Sequence, residues 1–370
     1  MLKQTSILSG EDMKIGIVTL FDSTNFGNKL QNYALQEILK QYAKEVITIK
    51  NKPFPKNLKE RIFRTSSLAE SVLINKFFGK KRKAAILGFA NKYIETSSKC
   101  YFYDKKYTVK PENCDYYCAG SDQIWNPELG RSGGFSYLDF SPIEQNFSFS
   151  ASFGVSSIQT QYKNDVENGL KNIGKISVRE EAGLKIVNEL SGRKDAEVLI
   201  DPTLYISEEK WANIAKKPDG FKECKYLLTY FLGGVSEKRK KKIENFARQY
   251  QLRILDVMNP NSKFYAIGPD GFIYLIKNAG FVCTDSFHAS VFSFIFNIPL
   301  AILIREGTGA NMGSRLETLA NKFAFSDRLV LDDNLDDHLM NVDYNKGKLI
   351  LEEERRRVDN FLNDVFTLHK

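Results

Sequence analysis

Short apolar runs, each closed by a polar turn and followed by residues at helical spacing, recur along nearly the whole chain, and this rhythm leaves few folds open. The first is IGIVTL (15–20), which gives way to DSTNFGN before Leu30, Tyr33, Ala34, Ile38 and Leu39 return at helical spacing. EVITI (45–49) and DYYCAG (115–120) read as further buried strands. QNFSFSASFG (145–154), ISVREEAGLKIVNEL (176–190) and AEVLIDPTLYI (196–206) continue the pattern as strand and turn, strand and helix, strand and exit. Strands separated by helices make a parallel sheet covered on both faces, so the expected class is α/β.

The alternation restarts after the linker-like Lys216-Lys217-Pro218-Asp219-Gly220. KYLLTYFLG (225–233), LRILDV (252–257), FVCTDS (281–286) and PLAILI (299–304) are strands, with SEKRKKKIENFARQY (236–250), GFIYLIKNAG (271–280) and HASVFSFIFN (288–297) as helices between them. At 370 residues the chain also exceeds what one core organises. The expected division is an N-terminal α/β domain at 14–206, a linker at 207–225, a C-terminal α/β domain at 226–345 and a C-terminal helix at 346–370. That helix carries Leu351, Val358, Phe361, Leu362 and Val365 on one face and is expected to pack across both domains. Residues 1–13 read as a dispensable extension, with Met13-Lys14 as an alternative start.

No apolar run is long enough to span a bilayer, and five cysteines without paired zinc spacing read as free thiols, so a soluble, cytoplasmic protein without a metal is expected. The excess of 53 Lys and Arg over 45 Asp and Glu is concentrated in KFFGKKRK (76–83) and KRKKK (238–242). These runs read first as solvated helix faces, and second as a peripheral contact with the anionic inner face of a membrane. No motif supports nucleic acid.

Ligands of open parallel sheets bind at the carboxyl ends of strands, which singles out four places. After the first strand, Asn28, Lys29 and Gln31 open a helix whose amide groups suit an anion or a polyol, although turn formation explains the Asn and Gly residues equally well. After DYYCAG come Ser121, Asp122, Gln123, Trp125 and Asn126, where the indole either stacks on a sugar or plugs the end of the sheet. Arg179 in SVRE and Asp201 in DPT stand at strand ends, and mutual neutralisation at a domain edge accounts for both. The fourth place is Val282–Phe296. There Asp285, Ser286 and His288, one of three histidines, lie where a buried strand becomes a helix. An imidazole at a helix start either serves an anion and a proton transfer or is simply held by Asp285 and Ser286 as caps. Arg305 and Arg315 follow downstream. The stretch Gly307–Gly313 lacks a Walker ending, and no G-x-G-x-x-G follows the first strand, which disfavours ATP and NAD.

FGNKLQNYALQ (26–36), GSDQIWNP (120–127), ASFG (151–154), SVRE (177–180), DPT (201–203), TDSFHASVFS (284–293) and SRLETL (314–319) together resemble, in order, the motif series of the polysaccharide pyruvyl transferase family. Only the family's usual His-Gly differs, being His288-Ala289 here. The resemblance implies two Rossmann-like doubly wound domains facing a cleft, as in GT-B glycosyltransferases. It also implies phosphoenolpyruvate as co-substrate without a further cofactor, and a sugar diol of a bacterial cell-surface polysaccharide or of its lipid-linked precursor as acceptor, giving a pyruvate ketal and phosphate. On that basis His288 and Asp285 are the expected catalytic pair. Ser286, Arg305, Arg315 and Arg179 are expected to hold the donor, and Asn28, Lys29, Gln31, Ser121, Asp122, Gln123, Trp125 and Asn126 the acceptor. A nucleotide-sugar glycosyltransferase and a non-catalytic glycan-binding protein remain the alternatives from other classes.

Overall fold

The computed structural model describes residues 12–21, 25–52, 71–103, 111–131, 133–307 and 313–367, with side chains omitted at 71–78 and 313–314. In the first half, β1 (Lys14–Val18), β2 (Glu45–Lys52), β3 (Thr96–Phe102), β4 (Tyr116–Ala119) and β5 (Asn146–Ser148) form a parallel sheet of order β3-β2-β1-β4-β5. The short strands β6 (Ser177–Val178) and β7 (Glu197–Val198) pair with each other and continue this edge through the bridges Phe147↔Lys175 and Ala151↔Val178. In the second half, β8 (Tyr226–Tyr230), β9 (Arg253–Asp256), β10 (Phe281–Thr284), β11 (Leu300–Leu303) and β12 (Leu329–Val330) form a second parallel sheet, ordered β12-β11-β10-β8-β9. Both sheets are doubly wound, and the expected pair of Rossmann-like units is what the chain forms.

Strand order locates the sites. In the first sheet the order reverses between β1 and β4, and in the second between β8 and β10. At such reversals the connecting helices leave on opposite faces and open a crevice at the strand ends. Residues after β1, β4, β8 and β10 therefore share one privileged edge in each half.

The first crossover helix, α1 (Phe26–Leu39), is buried at every position except Glu37. An ordinary surface helix buries one stripe. This one is enclosed because the second half packs on the face that would otherwise meet water. Phe26 lies 4.9 Å from Phe272 and 5.7 Å from Tyr230, ring centre to ring centre, and Tyr33 lies 5.5 Å from Trp211, which in turn meets Phe292 at 4.9 Å. Phe272 belongs to α8 (Pro269–Lys277) and Phe292 to α9 (Phe287–Ile295), so a single apolar core runs from one half into the other. Trp211 sits in α6 (Glu208–Ile214), inside the 207–225 connection, and is fully buried.

Two helices fasten the halves from outside. In α2 (Ser71–Tyr93), Arg82 points inward. Its guanidinium lies 4.2 Å from the Phe26 ring centre and donates to the carbonyls of Val257 and Tyr265, so this member of the first basic run is structural rather than solvated. The C-terminal helix α11 (Asn345–Thr367) begins on the second half, where Lys348 Nζ reaches Ile295 O at 2.5 Å. It ends on the first, where the Phe366 ring meets Tyr42, Tyr116 and Phe147 at 5.2, 5.1 and 5.7 Å. The helix thus crosses both units, as its apolar face predicts. Among the described residues no helix is long and apolar enough to cross a membrane. The five cysteines are free thiols.

Truncating Phe366 to Ala should remove three aromatic contacts and cost about 3 kcal/mol. Denaturant unfolding would read this as a lower midpoint, with loss concentrated in the docking of α11.

Candidate active site

At the shared edge of the two sheets a group of ionisable side chains converges with almost no access to water. Asp201, the N-cap of α5 (Pro202–Tyr205) after β7, is its centre. Its Oδ1 accepts from the Thr203 amide at 3.0 Å and the Thr203 hydroxyl at 2.6 Å. Its Oδ2 accepts from Ser121 Oγ at 2.9 Å and Arg179 Nη1 at 2.8 Å, and stands 3.8 Å from His288 Nε2. Burial alone would raise the pKa of this carboxylate, but His288, Arg179 and the Thr203 hydroxyl outweigh it and hold the group at about 2.

The Arg179–Asp201 pair expected from sequence is therefore present, though at the heart of the cluster instead of a domain edge. Glu180 also flanks Arg179, at 3.7 Å, and takes a hydrogen bond from Ser152 Oγ at 2.7 Å. The guanidinium lies 4.8 Å from the Phe287 ring centre. Burial opposes the charge on Arg179, yet Asp201, Glu180 and Asp122 raise its pKa overall. Arg315, buried nearby in α10 (Gly313–Lys322), is pushed down to about 10, by burial first and by repulsion from Arg179 second, and stays cationic at neutral pH.

His288 enters from the second half, at the start of α9, whose N-cap Ser286 accepts the Ala289 amide. Burial lowers its pKa below the ordinary value and only part is restored by Asp201, so the resting imidazole is neutral. The ring seats on the first turn of α1: a Cβ added at Gly27 would fall 2.0 Å from His288 Nδ1. Only a glycine permits that approach, which orients Nε2 toward Asp201. Neither His288 Nε2 nor Arg179 Nε and Nη2 has a hydrogen-bond partner among the described residues.

Several expected roles change. Asp285 does not orient His288: its Oδ1 and Oδ2 accept the Leu232 and Gly233 amides at 2.7 and 2.8 Å, and Arg305 Nε closes on it at 3.1 Å. It is the clamp of the loop after β8, and Arg305 is bound first to that clamp. Trp125 does not offer a face to a sugar: it is wholly buried, stacked on Tyr137 at 5.1 Å and 9°, against Phe153 at 5.3 Å, with Nε1 donating to Ser136 O. Gln123 and Asn126 bond each other at 2.6 Å, and Asn126 caps the short 3-10 turn Pro127–Leu129. Lys29 is buried, its ammonium 3.8 Å from the centre of the Phe21 ring, and Gln31 donates to Thr19 Oγ1. Asn28 and Asp122 do belong to the cluster's rim. Asn28 Nδ2 donates to Leu20 O at 2.7 Å and to Asp122 Oδ2 at 3.3 Å, and Asp122 is held at φ 71° where the chain turns out of the sheet. From sequence Asp201 is expected to neutralise Arg179 at a domain edge, and Glu180 carries no expected role. What the sequence conceals is their distance: Asp201 and His288 meet across 87 positions.

Protonation of a buried imidazole with a lowered pKa opposes folding. Its contribution is therefore complete above about pH 6.5 and declines as pH falls toward the folded value. Asp201 adds a second decline below about pH 4, on the order of 2–3 kcal/mol when complete. Denaturant unfolding at a series of acid pH values should show both limbs in the wild type and only the second in His288→Gln.

Residues 25–306 match the sequence model of a family described as Polysaccharide pyruvyl transferase. No curated protein matches the chain. Among solved structures it is similar to UDP-N-acetylglucosamine 2-epimerase from Rickettsia bellii, at 12% identity over 96% of this chain and 98% of that one, TM-score 0.43. It is also similar to the Methanocaldococcus jannaschii UDP-GlcNAc 2-epimerase in complex with UDP-GlcNAc and UDP, at 13% identity over 92% and 99%, TM-score 0.42. Apo UGT2 of Phytolacca americana matches at 12% identity over 96% and 94%, TM-score 0.35.

Proposed function

The chain belongs to the polysaccharide pyruvyl transferase family, and from that premise we propose that it moves the enolpyruvyl group of phosphoenolpyruvate onto a sugar diol of a cell-surface polysaccharide or its lipid-linked precursor. The observation that carries this reading is the convergence of Arg179, Arg315 and His288 in a buried site where donor atoms of Arg179 and His288 lack acceptors among the described residues. Phosphoenolpyruvate presents a phosphate and a carboxylate on one small frame. Guanidinium groups recognise both, and do so most strongly where water is excluded.

In the proposed reaction the enol methylene carbon gains a proton and the adjacent carbon becomes electrophilic. One sugar hydroxyl adds there, the carbon–oxygen bond to phosphate breaks with its electron pair on phosphate, and the second hydroxyl closes the ketal. One of the two hydroxyl protons is thereby accounted for by the new methyl group and the other by phosphate. His288 rests neutral, but a bound phosphate dianion raises its pKa and loads it with a proton, and Asp201 stabilises the resulting imidazolium. Arg179 and Arg315 hold the donor's charges throughout. Glu180 Oε2, buried and without a hydrogen-bond donor among the described residues, is the group assigned to take a hydroxyl proton. Asn28 and Asp122 lie on the acceptor side, and Ser121 and Ser286 act through Asp201 and through the cap of α9.

The test is incubation of the enzyme with phosphoenolpyruvate and a panel of candidate glycans, following phosphate release and, by mass spectrometry, addition of pyruvate to a glycan. His288→Gln should lower kcat by about 10²–10⁴-fold, the range for a general acid. Arg315→Lys should act mainly on the KM for phosphoenolpyruvate. Gly27→Ala, which forces the imidazole aside, should lower kcat while the protein remains folded. Thermal stabilisation by a sugar nucleotide and none by phosphoenolpyruvate would overturn the assignment.

A further inference from the structure

In an open α/β unit a phosphate sits on the turn after the strand at which the sheet order reverses, against the amides of the following helix start. In the second half that turn joins β8 to α7 (Glu237–Gln249), and it carries Gly233-Gly234. The chain fills it with its own carboxylates. The Leu232 and Gly233 amides donate to Asp285 Oδ1 and Oδ2 at 2.7 and 2.8 Å. The Gly234 amide donates to the Glu306 carbonyl at 3.0 Å and the Ser236 amide to Glu306 Oε2 at 2.6 Å, while the Ser236 hydroxyl donates to Glu306 Oε1 at 3.0 Å. Four amides able to hold a diphosphate are thereby taken by residues 285 and 306.

The nearby cations serve the same two residues. Arg305 Nε lies 3.1 Å from Asp285 Oδ2, and the Asp285 side chain has no exposure to water. Arg239, from the second basic run, is buried in the first turn of α7, 3.6 Å from Glu306 Oε1 and paired with Asp333 at 2.8 Å. Its Nη1 has no hydrogen-bond acceptor among the described residues. Burial opposes the charge on Glu306, yet the Ser236 amide and hydroxyl and Arg239 lower its pKa overall, so it stands there as an anion.

In a phosphate-binding turn a glycine lets the ligand approach the backbone. Gly233 admits the chain itself. A Cβ there would fall 2.5 Å from Arg305 Cγ and from the Glu306 carbonyl oxygen, and 3.1 Å from Asp285 Oδ2. The space beside the turn is thus held by residues that follow β10 and β11.

We propose that Asp285 and Glu306 are resident anions that occupy the phosphate turn of the second half and set donor specificity, closing it to nucleoside diphosphates. The inference rests on the proposed reaction for what it leaves in place, a small donor whose charges fall to Arg179, Arg315 and His288.

Calorimetric titration of the full chain with UDP and with ADP tests this. Wild type should show no Kd below about 1 mM for either. Glu306→Ala frees the Ser236 amide and hydroxyl beside Arg239, and should bind both at least about tenfold more tightly, the worth of one charge-assisted hydrogen bond. Glu306→Gln withdraws the charge but keeps an acceptor for the Ser236 amide. It should show a smaller gain, and it carries the test if the alanine variant does not fold. Glu237→Ala removes an exposed charge from the same turn, where Glu237 pairs with Lys240, and should gain nothing. Wild-type binding of either nucleotide below about 1 mM, an equal gain in Glu237→Ala, or no gain in a folded Glu306 variant would overturn the proposal. Phosphoenolpyruvate is titrated in the same way. A wild type that takes up both phosphoenolpyruvate and a nucleotide overturns the exclusion alone, and one that takes up neither overturns the proposed reaction alone.

Discussion

A carboxylate with no exposure to water has to be answered by hydrogen bonds and charge from every side, and Asp201 organises the centre of this molecule by that demand. Its partners come from separate segments: Thr203 from its own turn, Ser121 from the loop after β4, Arg179 from the end of β6, and His288 from the second half of the chain. Removing the carboxylate would strand Arg179, which burial already disfavours, among apolar neighbours such as Phe287. The pair is therefore better understood as fixing geometry than as adding stability. It holds a guanidinium and an imidazole at set positions on a shared edge.

That edge exists because α1 is a wedge with two partners. In an isolated Rossmann unit its outer face would be wet and its polar residues would need no account. Here Phe26 and Tyr33 carry the apolar core into the second half, while Asn28, Lys29, Gln31, Asn32 and Gln36 are buried too. Gln36 bridges Thr48 Oγ1 and Glu95 O near the helix end, and Gln31 reaches Thr19 near its start, so buried polarity is spent on positioning the helix against the strands. The contact of Gly27 with His288 depends on that positioning, since a Cβ at residue 27 would lie 2.0 Å from His288 Nδ1.

The strand and helix rhythm was legible because both sheets are parallel and doubly covered, so each strand announces itself as an apolar run ending in a turn. Reversal of strand order then placed the loops after β1, β4, β8 and β10 at ligand-binding edges, and His288 was found where expected. What a sequence of this kind hides is direction. Asp285 and His288 are three positions apart, but the chain turns between them, sending Asp285 to the amides after β8 and His288 across to α1. Trp125 leaves two readings open in the sequence, a sugar platform or a plug at the sheet end, because nothing in the loop announces Tyr137, twelve residues on, as the ring that covers it; the buried indole is the plug. Asp201 and Glu180 were visible as strand-end residues, yet their meeting with His288 rests on contacts between halves, which no local pattern encodes.

The cations of the site divide into permanent and switchable charge. Arg179 and Arg315 remain charged whatever the site contains, Arg315 even after burial brings it to about 10. Among the described residues of the site, His288 is the one whose charge can change near neutral pH, because burial holds it neutral while Asp201 keeps the protonated form within reach. A third arginine in its place would bind an anion at least as well but could neither give up nor regain a proton. Under the proposed reaction this arrangement separates holding a charged donor from moving a proton to it, by setting one titratable ring between a fixed carboxylate and the bare backbone of Gly27.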